Sequence, residues 1–485
     1  MSVTTEELIG RGMEAFSAGD MPAAEAAMSQ AVEAANDPNA RLILGGVAFA
    51  REDFTICQEQ WEAAFRTFKE AGDARGAALA ATYLGSLFYD MFGNESASRG
   101  WLSRAARLLD RAGRCVERGY YELASVACNV RDASALEESA AVALDLALEF
   151  NDPDLEARAL ADGGLALINQ GRLKEGFARL DEAMATVVSG EIRNPVQGAM
   201  ICCAMLTSCE RTGDLRRAEE WTQAATRFNE HRWQDRLQVL HSHCRLAYGA
   251  VLCDSGRYSE GEAQLLGAMD PASSECVPHR ADAAGALAAV RLLQGRVDEA
   301  AELLRPFMDR FEVCEPLARL HFARGEYDLA AAIIDRALHD LVGDRLRAGR
   351  LLRLLVDVEL GRDDVTAAER AAERLADYAD ESDSPVLRAD SRLADGRVAM
   401  HNGAADAAIA AFEAGLDQLS GEERPILAAI IRLDLAQALA AAGQTPRATD
   451  EARAAMAGFD RLGAMRFVER TAEFLKELES APTAS

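Results

Sequence analysis

Gly325 to Leu338 reads GEYDLAAAIIDRAL, and its spacing decides the fold. The apolar residues Tyr327, Ala330, Ala331, Ile334 and Leu338, continued by Leu341, return every three or four positions, while Asp328, Asp335, Arg336 and Asp340 fall between them. That is the period of one face of an α-helix. Ahead of it, Leu317 to Arg324 reads as a second helix stopped at Gly325, where a missing side chain permits the left-handed backbone that reverses the chain. The unit is a helical hairpin.

The hairpin recurs. Counting from the turn glycine, the fifth position beyond it is Ala24, Gly176, Ala218, Gly261, Ala300, Ala330, Ala408 and Ala448, never more than a methyl group. The twelfth position repeats the restriction with Ala31, Ala183, Ala225, Ala268, Ala337, Gly415 and Ala455, and breaks it only at Phe307. Small residues at fixed offsets mean that two helix backbones approach closely there. From residue 151 on, turn glycines fall at 171, 213, 256, 295, 325, 361, 403 and 443. These intervals lie around and above the roughly 34 residues of a tetratricopeptide unit. Each hairpin must cover its neighbour's apolar face, so the chain is expected to be all-α: an α-solenoid of tetratricopeptide-like hairpins, a right-handed superhelix with a concave groove lined by the first helix of each pair.

Regularity divides the chain. Residues 1–150 form less regular helical repeats, in which Arg51-Glu52-Asp53 replaces a turn glycine and Gly113 to Val130 shows no clear pattern. Residues 151–463 are the regular repeats, opened by Asn151-Asp152-Pro153, where the proline suits the first turn of a helix. Residues 464–479 read as a capping helix over the end of the stack, and 480–485 as a tail or the start of a linker.

Formal charge over the 485 residues is −27, which argues against direct nucleic-acid binding by this chain and against anionic membranes. The longest uncharged run, Asn194 to Cys209, has sixteen residues. A membrane-spanning helix needs about 20. The N-terminus has neither a basic start nor an apolar stretch, so no secretory signal is expected and the cytoplasm is the expected location. In that reducing setting the ten cysteines are expected as thiols.

Candidate sites cluster in the middle of the array. The helix from Val196 to Arg211 is apolar on nearly all sides, with Cys202, Cys203 and Cys209, so it is either buried all round or borders an apolar cavity. The next first helix carries His241, Cys244 and Tyr248. Thiolate and imidazole suit zinc or copper, so Cys202, Cys209, His241 and Cys244 are the candidate metal ligands, although their spacing matches no zinc motif and buried thiols also serve as small hydrophobes. Trp221, Trp233 and Arg236, near the loop between these units, offer an aromatic and basic rim for an amphipathic molecule or a peptide carboxylate. Alternatively, Trp221 fills a hairpin interface. Arg347, Arg350 and Arg353 share a helix face that could take an anion or pair with Asp344, Asp357 and Glu359. No nucleophile elbow, phosphate loop or zinc-protease motif occurs, so no catalytic residue and no cofactor is expected.

Five segments carry a family resemblance: GWLSRAARLL from Gly100, NDPDLEARAL from Asn151, ICCAMLTSCERTGDLRRAEEW from Ile201, CRLAYGAVLCDSGRYSEGEAQL from Cys244 and ALAAAGQTPRATDEARAAMAGFDRLGA from Ala438. Together they resemble the tetratricopeptide region of actinobacterial LuxR-type transcriptional regulators, nearly end to end. The resemblance implies a regulatory module that senses a signal or binds a partner. The helix-turn-helix that usually follows in that family is not found after Leu478, so DNA reading is not carried over to this chain. The expected function is a non-enzymatic scaffold holding a protein segment or small effector in its groove, with a homodimer left open. The alternative is a metal- or cofactor-dependent enzyme or carrier built on the Cys/His cluster.

Overall fold

The computed structural model describes residues 4–127, 132–228, 238–270, 276–419 and 424–480, with side chains at all of these except 127, 225–228 and 238–244. The N-terminal hairpins are α1 (Thr5–Ser17) with α2 (Met21–Ala35), α3 (Pro38–Ala50) with α4 (Phe54–Glu70), α5 (Ala74–Asp90) with α6 (Glu95–Ala112), and α7 (Val116–Ala127) with α8 (Ala133–Phe150). There follow α9 (Pro153–Asn169) with α10 (Leu173–Ser189), α11 (Pro195–Thr212) with α12 (Leu215–Phe228), and α13 (Gln238–Asp254) with α14 (Tyr258–Met269). Next come α15 (Val277–Leu293) with α16 (Val297–Leu304), α17 (Cys314–Ala323) with α18 (Tyr327–Asp340), and α19 (Arg345–Gly361) with α20 (Val365–Asp380). The last pairs are α21 (Pro385–His401) with α22 (Ala405–Gln418) and α23 (Pro425–Ala441) with α24 (Thr445–Arg461), and α25 (Met465–Ser480) packs on α24. Among the described residues there is no strand. An isolated bridge joins Asp132 to Val342.

Local chemistry sets these boundaries. Thr4 and Glu7 form a reciprocal capping box on α1, and Asp20, Asp37, Asp53, Asp73, Asn94 and Asp152 each cap the helix that follows. Proline opens α3, α9, α11, α21 and α23. Two turns depart from the glycine rule. Glu52 takes the left-handed conformation (φ 60°) in the turn that lacks a glycine, and Asp363 (φ 62°) takes it in place of the expected Gly361. Gly361 stays helical for a different reason: a Cβ there would lie 2.9 Å from the Tyr327 ring. The segment from Gly113 to Val130, which shows no pattern in sequence, contains α7.

The small positions lie where the hairpins close. Ala24, Ala218, Ala300, Ala330, Ala408 and Ala448 are all fully buried. Between α9 and α10 even a methyl group is too large, because a Cβ on Gly176 would stand 2.8 Å from the Gly164 carbonyl oxygen. Such close crossings let the first helices lie side by side from α5 through α21, as an α-solenoid requires.

The solenoid winds tightly enough to touch itself. First helices eight to ten elements apart meet: α3 with α11 and α13, α19 with α9 and α11, and α15 with α25. Loops of adjacent turns are tied as well. Ala133 donates its N–H to the Val342 carbonyl (2.8 Å), the Cys276 thiol reaches the Asp90 carbonyl (3.2 Å), and the Ser382 hydroxyl donates to the Gly171 carbonyl (3.0 Å). One hydrophobic core accordingly runs through residues from Phe16 to Ala394.

Candidate functional site

Helix α11 is buried all round because three sets of neighbours cover it. It packs on α9, α10, α12 and α13 within its own turn and on α3 and α19 from adjacent turns. Cys202 and Cys209 are buried in the shared core, whose other members include Val47 and Ala50 of α3. The Cys209 thiol faces the Met205 sulfur at 3.9 Å. Burial pushes the Cys202 thiol up to about 12 and those of Cys203 and Cys209 higher still. Cys203 is half-buried beside Arg158 and Asp90.

Trp221 of α12 is half-buried against the core and donates its indole N–H to Asp181 of α10 at 2.9 Å. Arg217, one turn earlier, pairs with the same carboxylate (2.5 Å) and lies over the Phe177 ring (4.2 Å). Tyr248 is half-buried on α13, and its phenol is raised by desolvation and by the nearby Glu219 carboxylate. Trp233 and Arg236 lie outside the described residues, as do the side chains of His241 and Cys244. Among the described residues no three His, Cys, Asp or Glu side chains converge as metal ligands.

What the structure does bring together is a charged seam on the inner wall, built by one first helix after another. Arg350 of α19 reaches across to Glu210 of α11 (3.4 Å) and Asp254 of α13 (3.8 Å), and Arg424, just ahead of α23, grips Asp254 at 2.7 Å. Arg350 and Arg424 also donate to the carbonyls of Glu210 and Arg211 at the end of α11. Farther along, Arg353 pairs with Asp390 of α21 (2.9 Å) and Arg397 of α21 with Asp357 (2.5 Å) and Asp434 of α23 (2.7 Å). Asp344, fully buried as a side chain, caps α19 and holds Arg347 (2.7 Å) and Arg211 (3.9 Å).

The electrostatics follow the crowding. Burial alone would raise Glu315 of α17, but Arg319, Arg350 and Arg353 outweigh it and hold the carboxyl down at about 2. Asp282 of α15 has the opposite balance: burial, with Glu312 and Glu210, pushes it up to about 8 against the pull of Arg347 and Arg211. Arg350, Glu210 and Asp254 keep about a quarter of their side-chain surface open (24, 27 and 29%), so solvent reaches the seam. Its carboxylates are engaged by guanidinium groups, an arrangement suited to clamping and to exchange of ionic partners.

The i,i+3 and i,i+4 pairs of this seam, Arg347 with Asp344 and Arg353 with Asp357, follow from sequence spacing. The partners of Arg350 do not, since Glu210 and Asp254 belong to other turns. Their one sequence signal is an acidic residue in the last turn of two successive first helices. Glu359 instead serves Arg362 (2.9 Å).

No family model matches the sequence, and no curated protein matches it. Solved structures of similar course include the APC/C hetero-tetramer Cut9-Hcn1 (TM-score 0.41, 13% identity, 96% of each chain covered) and the yeast Tom70 (TM-score 0.35, 14% identity, 91% of this chain and 96% of that one).

Proposed function

We propose that the chain is a non-enzymatic regulatory scaffold, the signal-sensing or partner-binding region of a LuxR-type transcriptional regulator, that holds a protein segment or small effector against its inner wall. The observation that carries this reading is the bridge from Arg350 and Arg424 to Glu210 and Asp254, which joins adjacent turns and in which Arg350, Glu210 and Asp254 are still open to solvent. A charged ligand that competes for either guanidinium loosens one turn from the next, and the small displacements of stacked repeats add into a change of pitch. Support for the regulator assignment is the resemblance of the five segments quoted above.

The experiment is affinity purification from the native host with wild-type protein and an Arg350→Ala/Arg424→Ala variant, each followed by mass spectrometry and by binding assays on the recovered partner. A partner bound saturably by the wild type and lost or weakened in the variant is expected. Equal binding by the folded variant would remove the inner wall from the account.

A further inference from the structure

Helix α6 reads ESASRGWLSRAARLLDRA from Glu95, and it is basic in a chain whose formal charge is −27: Arg99, Arg104, Arg107 and Arg111 stand against Glu95 and Asp110. Its apolar side is spent on α5. Leu102 packs on Gly85, Ala105 joins the core of Ala77 and Ala81, and Leu109 that of Ala78. Arg99, Ser103, Arg107 and Arg111 follow at four-residue steps, and Gly100, Arg104, Arg107 and Arg111 at steps of three or four, so the arginines share the side turned away from α5. Arg99, Arg107 and Arg111 are exposed and Arg104 is half-buried.

These arginines have no anionic partner. Among the described residues no hydrogen bond or ion pair engages the guanidinium of Arg99, Arg107 or Arg111. Arg104 is held by aromatic faces alone, 4.2 Å from the centre of the Phe65 ring and 4.4 Å from that of Trp101, which sets the plane of its guanidinium and leaves its N–H fork unspent. The next arginines along the chain behave differently. Arg114 binds Asp145 (2.7 Å) and Glu149 (2.5 Å), and Arg118 binds Glu122 (3.7 Å) and Asp110 (3.8 Å), the one acid at the edge of the α6 face. Ser96, Gly100 and Ser103, all exposed, lie low between the arginines, and Gly100 faces open space.

We propose that this face of α6 binds an acidic segment of a partner protein in extended conformation, with carboxylates on alternate residues meeting Arg99, Arg107 and Arg111 and its backbone lying along Ser96, Gly100 and Ser103. Alternate residues of an extended chain recur about every 6.6 Å on one side, and arginines four residues apart on a helix about every 6 Å, so the two rows of charge stay in step over the roughly 18 Å from Arg99 to Arg111. Each guanidinium fork suits a carboxylate. Length decides against nucleic acid: a duplex carries about one charge per 1.7 Å and would run off α6 over Glu95 at one end and over Asp145 and Glu149 at the other, whereas a short acidic segment ends with the patch. The site is apart from the charged seam and stands whether or not the seam takes a ligand.

The test uses the full chain and a labelled peptide of alternating glutamate and serine, about nine residues long, read by fluorescence anisotropy, with its lysine counterpart and a single-stranded oligonucleotide as comparisons. Saturable binding of the glutamate peptide is expected, weakened roughly tenfold or more by Arg99→Gln/Arg107→Gln/Arg111→Gln and by added salt, with the lysine peptide inactive. Arg216→Gln/Arg305→Gln/Arg392→Gln removes the same charge from exposed sites elsewhere and is expected to leave binding unchanged. Should the α6 variant lose helicity by circular dichroism, Arg107→Gln/Arg111→Gln replaces it with the same expected direction. Absence of saturable binding, equal affinity in the folded α6 variant, an equal loss in both variants, or binding of the lysine peptide or the oligonucleotide as tight as that of the glutamate peptide overturns the proposal.

Discussion

Asp383 caps α10 from 210 residues away: its carboxylate accepts the Leu173 N–H at 2.7 Å and the Lys174 N–H at 3.1 Å. Arg172, the residue at the N-terminal end of α10, supplies no side-chain cap of its own. The orphan donors of one turn of the superhelix are therefore satisfied by the loop of the next. Ser382 seals the same joint, and Gly171 is required there twice, by its left-handed backbone (φ 84°) and because a Cβ would stand 2.4 Å from the Ser382 hydroxyl oxygen.

Removing this cap has a local signature. Asp383→Ala is expected to cost about 1–2 kcal/mol, the usual worth of a helix cap, and to speed hydrogen exchange at the amides of residues 173 and 174. Gly171→Ala is expected to destabilise by at least as much, and pairing it with Ser382→Gly to recover part of the loss. Unchanged exchange at 173 and 174 in Asp383→Ala would mean that the two turns do not stay joined in solution.

The cysteines of α11 give a second expectation. With its thiol pushed up to about 12 by burial, Cys202 is poorly ionised at neutral pH, and Cys209, pushed higher, is ionised even less. Alkylation of both in native protein is expected to be slower than in unfolded protein by orders of magnitude, and Cys209→Ala to cost about 1–2 kcal/mol as a core truncation. Rapid labelling of Cys202 in the folded state, or stoichiometric zinc released by it, would favour the metal alternative over the packing one.

How much of this was legible depended on whether a feature is local or spans turns. The hairpins and the small crossing positions are written in neighbouring residues, so sequence spacing finds them. At Gly361 the spacing misleads, because that glycine answers to the Tyr327 ring and Asp363 makes the turn. The all-round apolarity of α11 signals burial but not that α3 covers it, and nothing near Arg350 or Asp383 names Glu210 or Leu173 as a partner. Those contacts are set by superhelical pitch, the sum of many small rotations between repeats.

Acid–base behaviour offers a third check at Asp154 of α9. Its carboxylate accepts the Arg193 and Asn194 N–H groups (2.7 and 3.1 Å), yet burial dominates and raises it to about 6 from 3.8. The folded chain thus keeps this proton where the unfolded chain has released it. The resulting stabilisation is complete below pH 3.8, declines as pH rises and is gone above about 6. Asp154→Asn is expected to flatten the fall in unfolding midpoint between pH 4 and 6, which denaturant titrations at stepped pH measure. An identical slope in wild type and variant would assign it to other groups.

The central claim is that ionic bridges between turns hold the array at the pitch its repeats set. Small-angle X-ray scattering of wild type and Arg350→Ala/Arg424→Ala tests it most directly, with circular dichroism as the control for folding. Deleting partners of partly buried carboxylates is expected to cost up to about 3–5 kcal/mol of turn-to-turn contact and to lengthen the particle at unchanged helicity, and high salt to lengthen the wild type in the same sense. A variant with the same helix content and the same maximum dimension as the wild type, at low and high salt alike, would contradict the account.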